Sequence, residues 1–513
     1  MPATPTPANA TGQPGWWQDR VFYEVFVRSF FDANGDGIGD LKGLMAKLDY
    51  LNDGDPNTHT DLGVTGLWLM PTFPSPSYHG YDVTDYRGVN PDYGSLDDLR
   101  ALVTAAHQRG VAVILDLPLN HTSDQHPWFV ASQQPGSAKS DWYVWADTPQ
   151  GNNWQPLGGR YYYAAFGPTL PDLNLRNPDV TAELTSSAEF WLQDVGVDGF
   201  RLDAAPYLIE DGPKTVDTPE TLAWWHDFRT AIQTGSPGAL TLGEVYDSAK
   251  VSSSYVPNSL DMTFNFGLAS TYVSSAGGGD GDTLGRVLTN ATTVYPPGGF
   301  GSFLTNHDQD RVASDIGEPM RLRAAAALLL TGPGVPFVYY GEELGMTGQK
   351  PDEQIRTPMH WDATPGTAGF TTGQPWEPLN ADPATLNVAD ESADPTSLLN
   401  WYRQLIALRT AHPAMALGSY LTAQASSHNV VAEVRAYNGE TDLVVGNLGD
   451  TDLPGVTLSL ATGPLCGTPS ATLALGTGPA AAPTVTAAGG FSGYVPVPTL
   501  PAHGVTVIAL LNP

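Results

Sequence analysis

Eight short β-rich runs, each separated from the next by stretches of helical spacing, limit this chain to very few folds. The runs are Val21–Val27, Gly66–Met70, Val111–Asp116, Gly199–Asp203, Leu240–Glu244, Leu260–Phe264, Ser302–Thr305 and Val335–Tyr340. Strands that alternate with helices build parallel βα units, because each helix must carry the chain back before the next strand. Eight such units predict an α/β fold, a closed (β/α)8 TIM barrel with its chemistry at the strands' C-terminal ends. The helices carry start signals. Asn177-Pro178 and Thr218-Pro219 each set a capping side chain before a first-turn proline, and Ser95 precedes the acidic turn Leu96-Asp97-Asp98. Leu41–Leu51 and Leu398–Leu408 repeat apolar residues at helical spacing.

Two segments break the alternation. Residues 119–175 follow the third strand without a helix of normal length and are rich in Trp, Tyr, Gly and Asn. A long irregular insertion at a barrel's catalytic face is usually functional. Residues 418–513 lose helical periodicity and become rich in Thr, Val, Gly and Pro, which predicts a C-terminal antiparallel β-domain. The expected division is a flexible N-terminal segment (1–15), the barrel (16–118 and 176–417), the domain inserted after strand three (119–175) and a C-terminal β-sandwich (418–513). Ala471–Gly490 is low in complexity and reads as loose connections. The glycine tracts Gly277–Gly281 and Gly298–Gly301 read as flexible loops.

Charge narrows the partners. Lys+Arg is 23 against Asp+Glu 54, a net charge of -31. Such a chain repels phosphate backbones, which excludes nucleic acid; the charge fits a neutral substrate with a bound cation, and solubility alone is the competing reading. The single cysteine, Cys466, can form no intrachain disulfide and reads as a small buried hydrophobe. No run approaches the ~20 apolar residues that span a bilayer. The start, MPATPTPANATGQPG, has neither a charged n-region nor an apolar h-region. It reads as a tether left after loss of a signal segment, so a secreted, extracellular protein is expected. A cytoplasmic protein with a frayed start is the competing reading. A monomer is expected.

The placement of carboxylates carries the chemistry. Strand four reads Gly-Phe-Arg-Leu-Asp-Ala, and strand alternation puts Arg201 and Asp203 on one face. A guanidinium two residues before a carboxylate favours its ionised form, as a nucleophile requires. Glu244 ends strand five among other carboxylates, where a glutamic acid tends to keep its proton and serve as general acid. Strand seven ends Phe-Leu-Thr-Asn-His-Asp, which brings His307 and Asp308 to the same rim. Any one of these acids alone reads as a helix cap or a surface charge. Three at the ends of strands four, five and seven read as a catalytic set.

These motifs, in this order, resemble the α-amylase family of glycoside hydrolases, in the branch between oligo-1,6-glucosidases and neopullulanases. The matching segments are Asp116–His121 (DLPLNH), Gly199–Ala204 (GFRLDA), Gly243–Val245 (GEV), Phe303–Asp308 (FLTNHD) and Leu170–Leu175 (LPDLNL). The resemblance implies Asp203 as nucleophile, Glu244 as acid/base and Asp308 as transition-state stabiliser. It implies sugar contacts from His121, Arg201 and His307, and stacking by Tyr81 within Tyr78–Tyr86 (YHGYDVTDY). Asp82 and Arg356, the latter in Arg356–Trp361 (RTPMHW), resemble a pair that holds the terminal sugar in exo-acting members; a structural salt bridge is the alternative.

After strand one, Asp32-Ala-Asn-Gly-Asp-Gly-Ile-Gly-Asp40 repeats oxygen-bearing residues at alternate positions, and Gly37 permits a sharp turn. That is the opening of a calcium loop, though not an EF-hand, since Gly43 stands where that motif needs Glu. It resembles the calcium loop of this branch, which implies Ca2+ ligands from the side chains of Asp32, Asn34, Asp36 and Asp40 and the carbonyl of Ile38. An Asx-rich turn without metal is the alternative.

The expected activity is a retaining, endo-type α-amylase cutting α-1,4-glucosidic bonds in starch and maltooligosaccharides. Ala204 supports it, because the 1,6-preferring relatives carry Val there. Val338–Gly345 and RTPMHW lean towards an exo-acting α-glucosidase or a glucosyl-transferring, trehalose synthase-like enzyme. A non-catalytic carbohydrate-binding protein on this fold would lack the acids. Trp142, Trp145, Trp154 and Tyr161–Tyr163 of the insertion are expected to offer stacking platforms or to fill that domain's core.

Overall fold

The structure, a computed structural model, describes residues 15–380 and 383–513. The expected flexible segment, 1–15, lies outside the described residues except for Gly15. Eight strands close into a barrel in chain order: Phe22–Val25, Gly66–Leu69, Ala112–Leu117, Gly199–Leu202, Leu240–Gly243, Met262–Phe264, Phe300–Ser302 and Val335–Tyr339. All pairs are parallel, and the first strand meets the last with Phe22 opposite Phe337. Every strand residue is buried, as a parallel sheet walled by helices requires. Strand seven pairs over Phe300–Ser302, two residues earlier than its apolar run suggests. Phe303 and Leu304 remain buried beyond the ladder, so hydrophobicity alone does not mark its end.

Strand periodicity divides the barrel interior into layers. Phe22, Trp68, Ile114, Leu242, Phe264 and Phe337 fill the lower part, with Trp16 and Trp17 at its base. The Phe22 and Phe337 rings stack at 4.7 Å. Further along the strands stand Glu24, Asp116 and Arg201, with Asp116 directly opposite Arg201 in the ladder. Polar side chains therefore replace the apolar plug at the barrel's upper end.

The surrounding helices start where their caps demand. Asn177 accepts from the Asp179 amide, Thr218 from the Thr221 amide, and Ser95 and Asp98 form a reciprocal capping box. Each such cap contributes about 1 kcal/mol. Leu398–Ala411 is one helix, whereas Leu41–Leu51 divides into Leu41–Ala46 and Leu48–Leu51. The break is at Lys47, whose ammonium lies over the rings of Phe31 and Trp361.

The inserted segment folds as a short helix, Pro127–Ser132, and a three-stranded antiparallel sheet, Trp145–Ala146, Arg160–Tyr163 and Trp154–Leu157. Residues 418–513 form a five-stranded sheet facing a three-stranded one, with a separate apolar core. Its longest hairpin turns at Asn438-Gly439, with φ of 47° and 90°, the two left-handed positions of a type I′ turn.

Three expectations are corrected. Cys466 is exposed, because it lies in a Gly/Pro-rich connection rather than on a strand face. Ser470–Leu475, which overlaps the start of the low-complexity stretch, is an ordered strand of the larger sheet, paired to Val505–Leu511. Gly277–Gly281 is a helix junction rather than a loose loop: Gly278 ends one helix, Gly279 caps it at φ 79°, and Gly281 starts the next. Gly301 likewise belongs to strand seven. Among the described residues, no helix is long and apolar enough to cross a membrane.

Candidate active site

A cleft of about 490 Å³ opens where the barrel strands end. Arg201 stands beneath it, 1% exposed. Its Nη1 meets Asp203 at 2.6 Å and Asp116 at 2.8 Å, and its Nη2 meets Glu244 at 2.8 Å. One rigid guanidinium fork thus gathers carboxylates from strands three, four and five, which a lysine's single ammonium could not do. The same-face relation of Arg201 and Asp203 read from the strand is realised as a direct bond.

Asp203 and Glu244 each directly follow their strands, where the backbone turns away. Ala204 makes that turn in the left-handed region, φ 48° and ψ 36°, and its amide donates to Glu244 Oε2 at 3.1 Å. The residue after one carboxylate therefore holds the other.

The acids differ in proton affinity. Burial pushes Asp203 up to about 6; Arg201 pulls against it, while Asp116 and Asp308 add to the rise. Arg201 favours the ionised form, as read from the strand, although burial is the larger influence, and an acid near 6 is still ionised at neutral pH. Glu244 is also raised, by burial first, with Arg201 opposing and Asp203 and Asp308 reinforcing. Asp308 is also raised by burial, but His307, Arg356 and Arg201 outweigh it and hold the carboxyl below its ordinary range. Asp308 is thus separated from Asp203 and Glu244, which are both raised, and groups pushed apart in this way suit distinct roles.

His307, fully buried, contacts Glu24 through Nδ1 at 2.5 Å and the Tyr81 hydroxyl through Nε2 at 2.7 Å, with Asp308 at 3.3 Å. Tyr81 in turn donates to Asp116 at 2.9 Å and lies parallel to the His307 ring. His121 lines the cleft with an unpartnered, buried Nε2, and burial lowers its imidazole to about 4, leaving it neutral. Asp82 accepts from the hydroxyls of Ser75 and Ser77. Arg356 bonds Asp308 and Asp352, each at 2.9 Å. No bond joins Asp82 to Arg356 among the described residues.

The aromatic rings of the insertion mostly fill its own core. Trp142, Tyr162 and Tyr163 are buried, Trp145 stacks on Phe129, and Trp154 packs on Tyr163. What the insertion gives the cleft is His121, Phe166 and Leu170, and Tyr246 lines it from beyond strand five. Sequence reasoning missed Glu24, Asp352, Phe166 and Tyr246. Glu24 left a signal, as the lone charge in the buried strand Phe-Tyr-Glu-Val, because a buried acid needs a partner. Nothing in the sequence separates Phe166 from its aromatic neighbours.

The Asp32–Asp40 loop lies beside the barrel's upper rim and closes on its own amides. Asp32 accepts from the amides of Asn34, Gly35 and Gly37 and from the Thr371 hydroxyl. Asn34 accepts from Asp36, Asp36 from Ile38, and Asp40 from Ala33 and Gly43. Gly37, at φ 95°, packs where a Cβ would stand 1.9 Å from the Gln374 carbonyl. The donors are all hard oxygens, as a calcium ion prefers. Asn34, Asp36 and Asp40 keep spare lone pairs, whereas the four donors occupy the usual four acceptor sites of Asp32. The loop carboxylates do not converge by themselves. Among the described residues, the His/Asp/Glu trio with ligand atoms all within 4.8 Å is instead His412, Glu440 and Asp442.

A cleft of carboxylates, imidazoles and arginine at the top of a (β/α)8 barrel defines a barrel enzyme of carboxylate chemistry. Known proteins narrow the class. The family described as alpha amylase, catalytic domain, matches residues 24–418. Alpha-amylase 3 of Dictyoglomus thermophilum is 37% identical over 442 residues, covering 84% of this chain and 85% of that protein. Trehalose synthase/amylase TreS of Mycolicibacterium smegmatis is 34% identical over 487 residues, covering 82% of this chain and 80% of its own. The crystal structure of alpha-amylase from H. orenii superimposes with a TM-score of 0.81 at 38% identity, covering 96% of this chain and 99% of that one. This chain belongs to the α-amylase family. It is a glycoside hydrolase of that family, whose members act on O-glycosyl bonds.

Proposed function

We propose that the chain is a retaining, endo-type α-amylase that hydrolyses α-1,4-glucosidic bonds in starch and maltooligosaccharides. The observation that carries this reading is the Arg201 fork, which binds Asp203 and Glu244 through its two terminal nitrogens. Carboxylates tied to one guanidinium suit the ~5 Å separation of a double-displacement site better than the wider gap that an inverting enzyme keeps for water. Glu244 protonates the glycosidic oxygen as Asp203 attacks the anomeric carbon, so the C–O bond breaks and a glycosyl ester forms. Glu244 then takes a proton from water, which displaces Asp203 and restores the α configuration. Asp308 grips ring hydroxyls as positive charge develops, and neutral His121 offers its free nitrogen to a hydroxyl.

Endo action is supported by the partners of Arg356. Because it is bound to Asp308 and Asp352 rather than Asp82, it forms no ion pair with Asp82 across the inner end of the cleft. The Asp32–Asp40 loop, in this reading, holds a structural calcium through Asn34, Asp36, Asp40 and the Ile38 carbonyl, with Asp32 giving up part of its amide contacts. The ion would offset clustered negative charge at the rim. Secretion accords with a starch substrate.

Initial rates on maltotetraose, starch and isomaltose, with the first anomer followed by NMR, test the proposal. A β-configured product overturns the retaining mechanism, and preference for isomaltose overturns the linkage. Asp203→Ala should lose several orders of magnitude in rate while still binding sugar; near-normal turnover refutes its role. A second reading, glucosyl transfer, is favoured by one feature: Phe166 and Tyr246, 43% and 73% exposed, flank the cleft and offer faces on which an acceptor sugar can stack. Accumulation of transfer products with added glucose would establish it.

A further inference from the structure

The proton inventory around His307 can be worked out from its contacts. Asp116 receives Arg201 Nη1, Trp68 Nε1 and the Tyr81 hydroxyl, so it acts only as an acceptor. With its one proton given to Asp116, Tyr81 can meet His307 Nε2 at 2.7 Å only by accepting. Nε2 therefore carries hydrogen. Nδ1, 2.5 Å from the Glu24 carboxylate, carries hydrogen as well. An imidazolium donating from both nitrogens satisfies all of these contacts, with Glu24 holding one end of His307 and Tyr81 and Asp308 at the other.

We propose that Glu24 is a positioning residue for the reaction at this cleft: from the buried wall of strand one it fixes the orientation and charge of His307, and through it the places of Tyr81 and Asp308. Glu24 is 2% exposed and His307 fully buried, so neither has water to substitute for the other. The groups facing the imidazole are Glu24 from strand one, Tyr81 from the loop after strand two, Asp116 and Arg201 from strands three and four, its neighbour Asp308, and Arg356. Burial works against the charged ring, but Asp308 and Glu24 outweigh it and raise His307 above its ordinary range, with Arg356 opposing. Removing Glu24 leaves a charged ring with one carboxylate fewer, free to turn or to lose its proton. Asp308 then loses the cation that helps keep it ionised, and Tyr81 loses a donor.

The inference rests on reading the cleft as a glycoside-hydrolysing site, and the test separates the two. Wild-type turnover of maltotetraose checks that reading. Two variants check Glu24. Glu24→Gln keeps an acceptor oxygen for Nδ1 but no charge; Glu24→Leu keeps volume but no acceptor. Glu24→Leu should lose at least tenfold in kcat with a smaller change in KM. Glu24→Gln should come nearest to wild-type activity at the acid end of the profile, about pH 5.5, where the ring most readily keeps its proton. Its rate relative to wild type should then fall at least fivefold by pH 8. Nitrogen-15 NMR of labelled histidine, with His307 assigned by its loss in His307→Gln, should show His307 titrating at lower pH in Glu24→Gln. That readout needs no turnover, and the Gln variant decides alone if the Leu variant does not fold. A His307 titration unchanged by Glu24→Gln, or a Gln-to-wild-type rate ratio that stays flat with pH, overturns the proposal.

Discussion

Replacing Arg201 with Gln tests whether the guanidinium sets the ionisation of Asp203. The wild-type carboxyl, near 6, already titrates above its ordinary value because of burial, and Arg201 is the strongest influence pulling it down. As the proposed nucleophile, Asp203 must be ionised to attack. If the arginine charge goes, its proton is held to higher pH, and the acid limb of the pH–rate profile moves up. Two unit charges about 4 Å apart at an effective dielectric of 20 interact by about 4 kcal/mol. At 1.36 kcal/mol per unit that is about 3 pH units as an upper bound, and carboxylates beside arginine are shifted by about 1–3. The limb should therefore move from near 6 to between about 7 and 9. The assay is kcat/KM against pH on an aryl α-maltoside with a good leaving group, so that the acid limb reports the nucleophile of the free enzyme. Breaking this buried cluster should also cost about 3–5 kcal/mol of stability, so unfolding is followed in the same buffers. A folded variant whose rate falls equally at every pH, with the limb unmoved, refutes the reasoning.

Other outcomes follow from the same geometry. Glu244→Gln should slow natural oligosaccharides far more than activated aryl glycosides; equal losses would mean that Glu244 does not protonate the leaving oxygen. His107 donates to Asp198 at 2.8 Å, and although burial opposes its charged form, Asp198 raises its affinity for a proton. Its stabilisation is thus full below about 6.5 and is lost as pH rises through the raised folded value. His107→Ala should cost about 1 kcal/mol at pH 5.5 and much less at pH 9, measured by denaturant melts; a pH-independent loss would contradict the ion pair. Chelator should lower the thermal midpoint and added calcium restore it. An Asp36→Ala variant with unchanged midpoint and metal content would argue for a metal-free turn.

Much of the barrel was legible because each strand and cap depends on local chemistry. A buried parallel strand needs a short apolar run, and Asn177, Thr218 and Ser95 each cap the helix they precede. The carboxylates at the ends of strands four and five were legible because barrel topology alone brings strand ends to one mouth. What stayed hidden depends on partners distant in sequence. Glu24 is 283 positions from His307. Arg356 looked like a partner for Asp82 but is held by Asp308 and Asp352, a choice made by side-chain reach across the rim. The aromatic insertion misled because composition cannot tell a ring that fills a small core from one that faces a substrate, and of its rings Phe166 lines the cleft.

Ala204 couples two properties that protein engineers would prefer to vary separately. Its side chain lines the cleft beside Asp203, where the proposed linkage choice would be made, while its backbone, at φ 48°, aims an amide at Glu244. A β-branched residue in that conformation is strained by about 1–3 kcal/mol. A library that changes size at 204 to redirect linkage choice therefore also loosens the support of Glu244, the proposed proton donor. Glycine would ease the backbone but add room. Selectivity and rate should accordingly drift together along any mutational path through this position, unless a second change first gives Glu244 another donor.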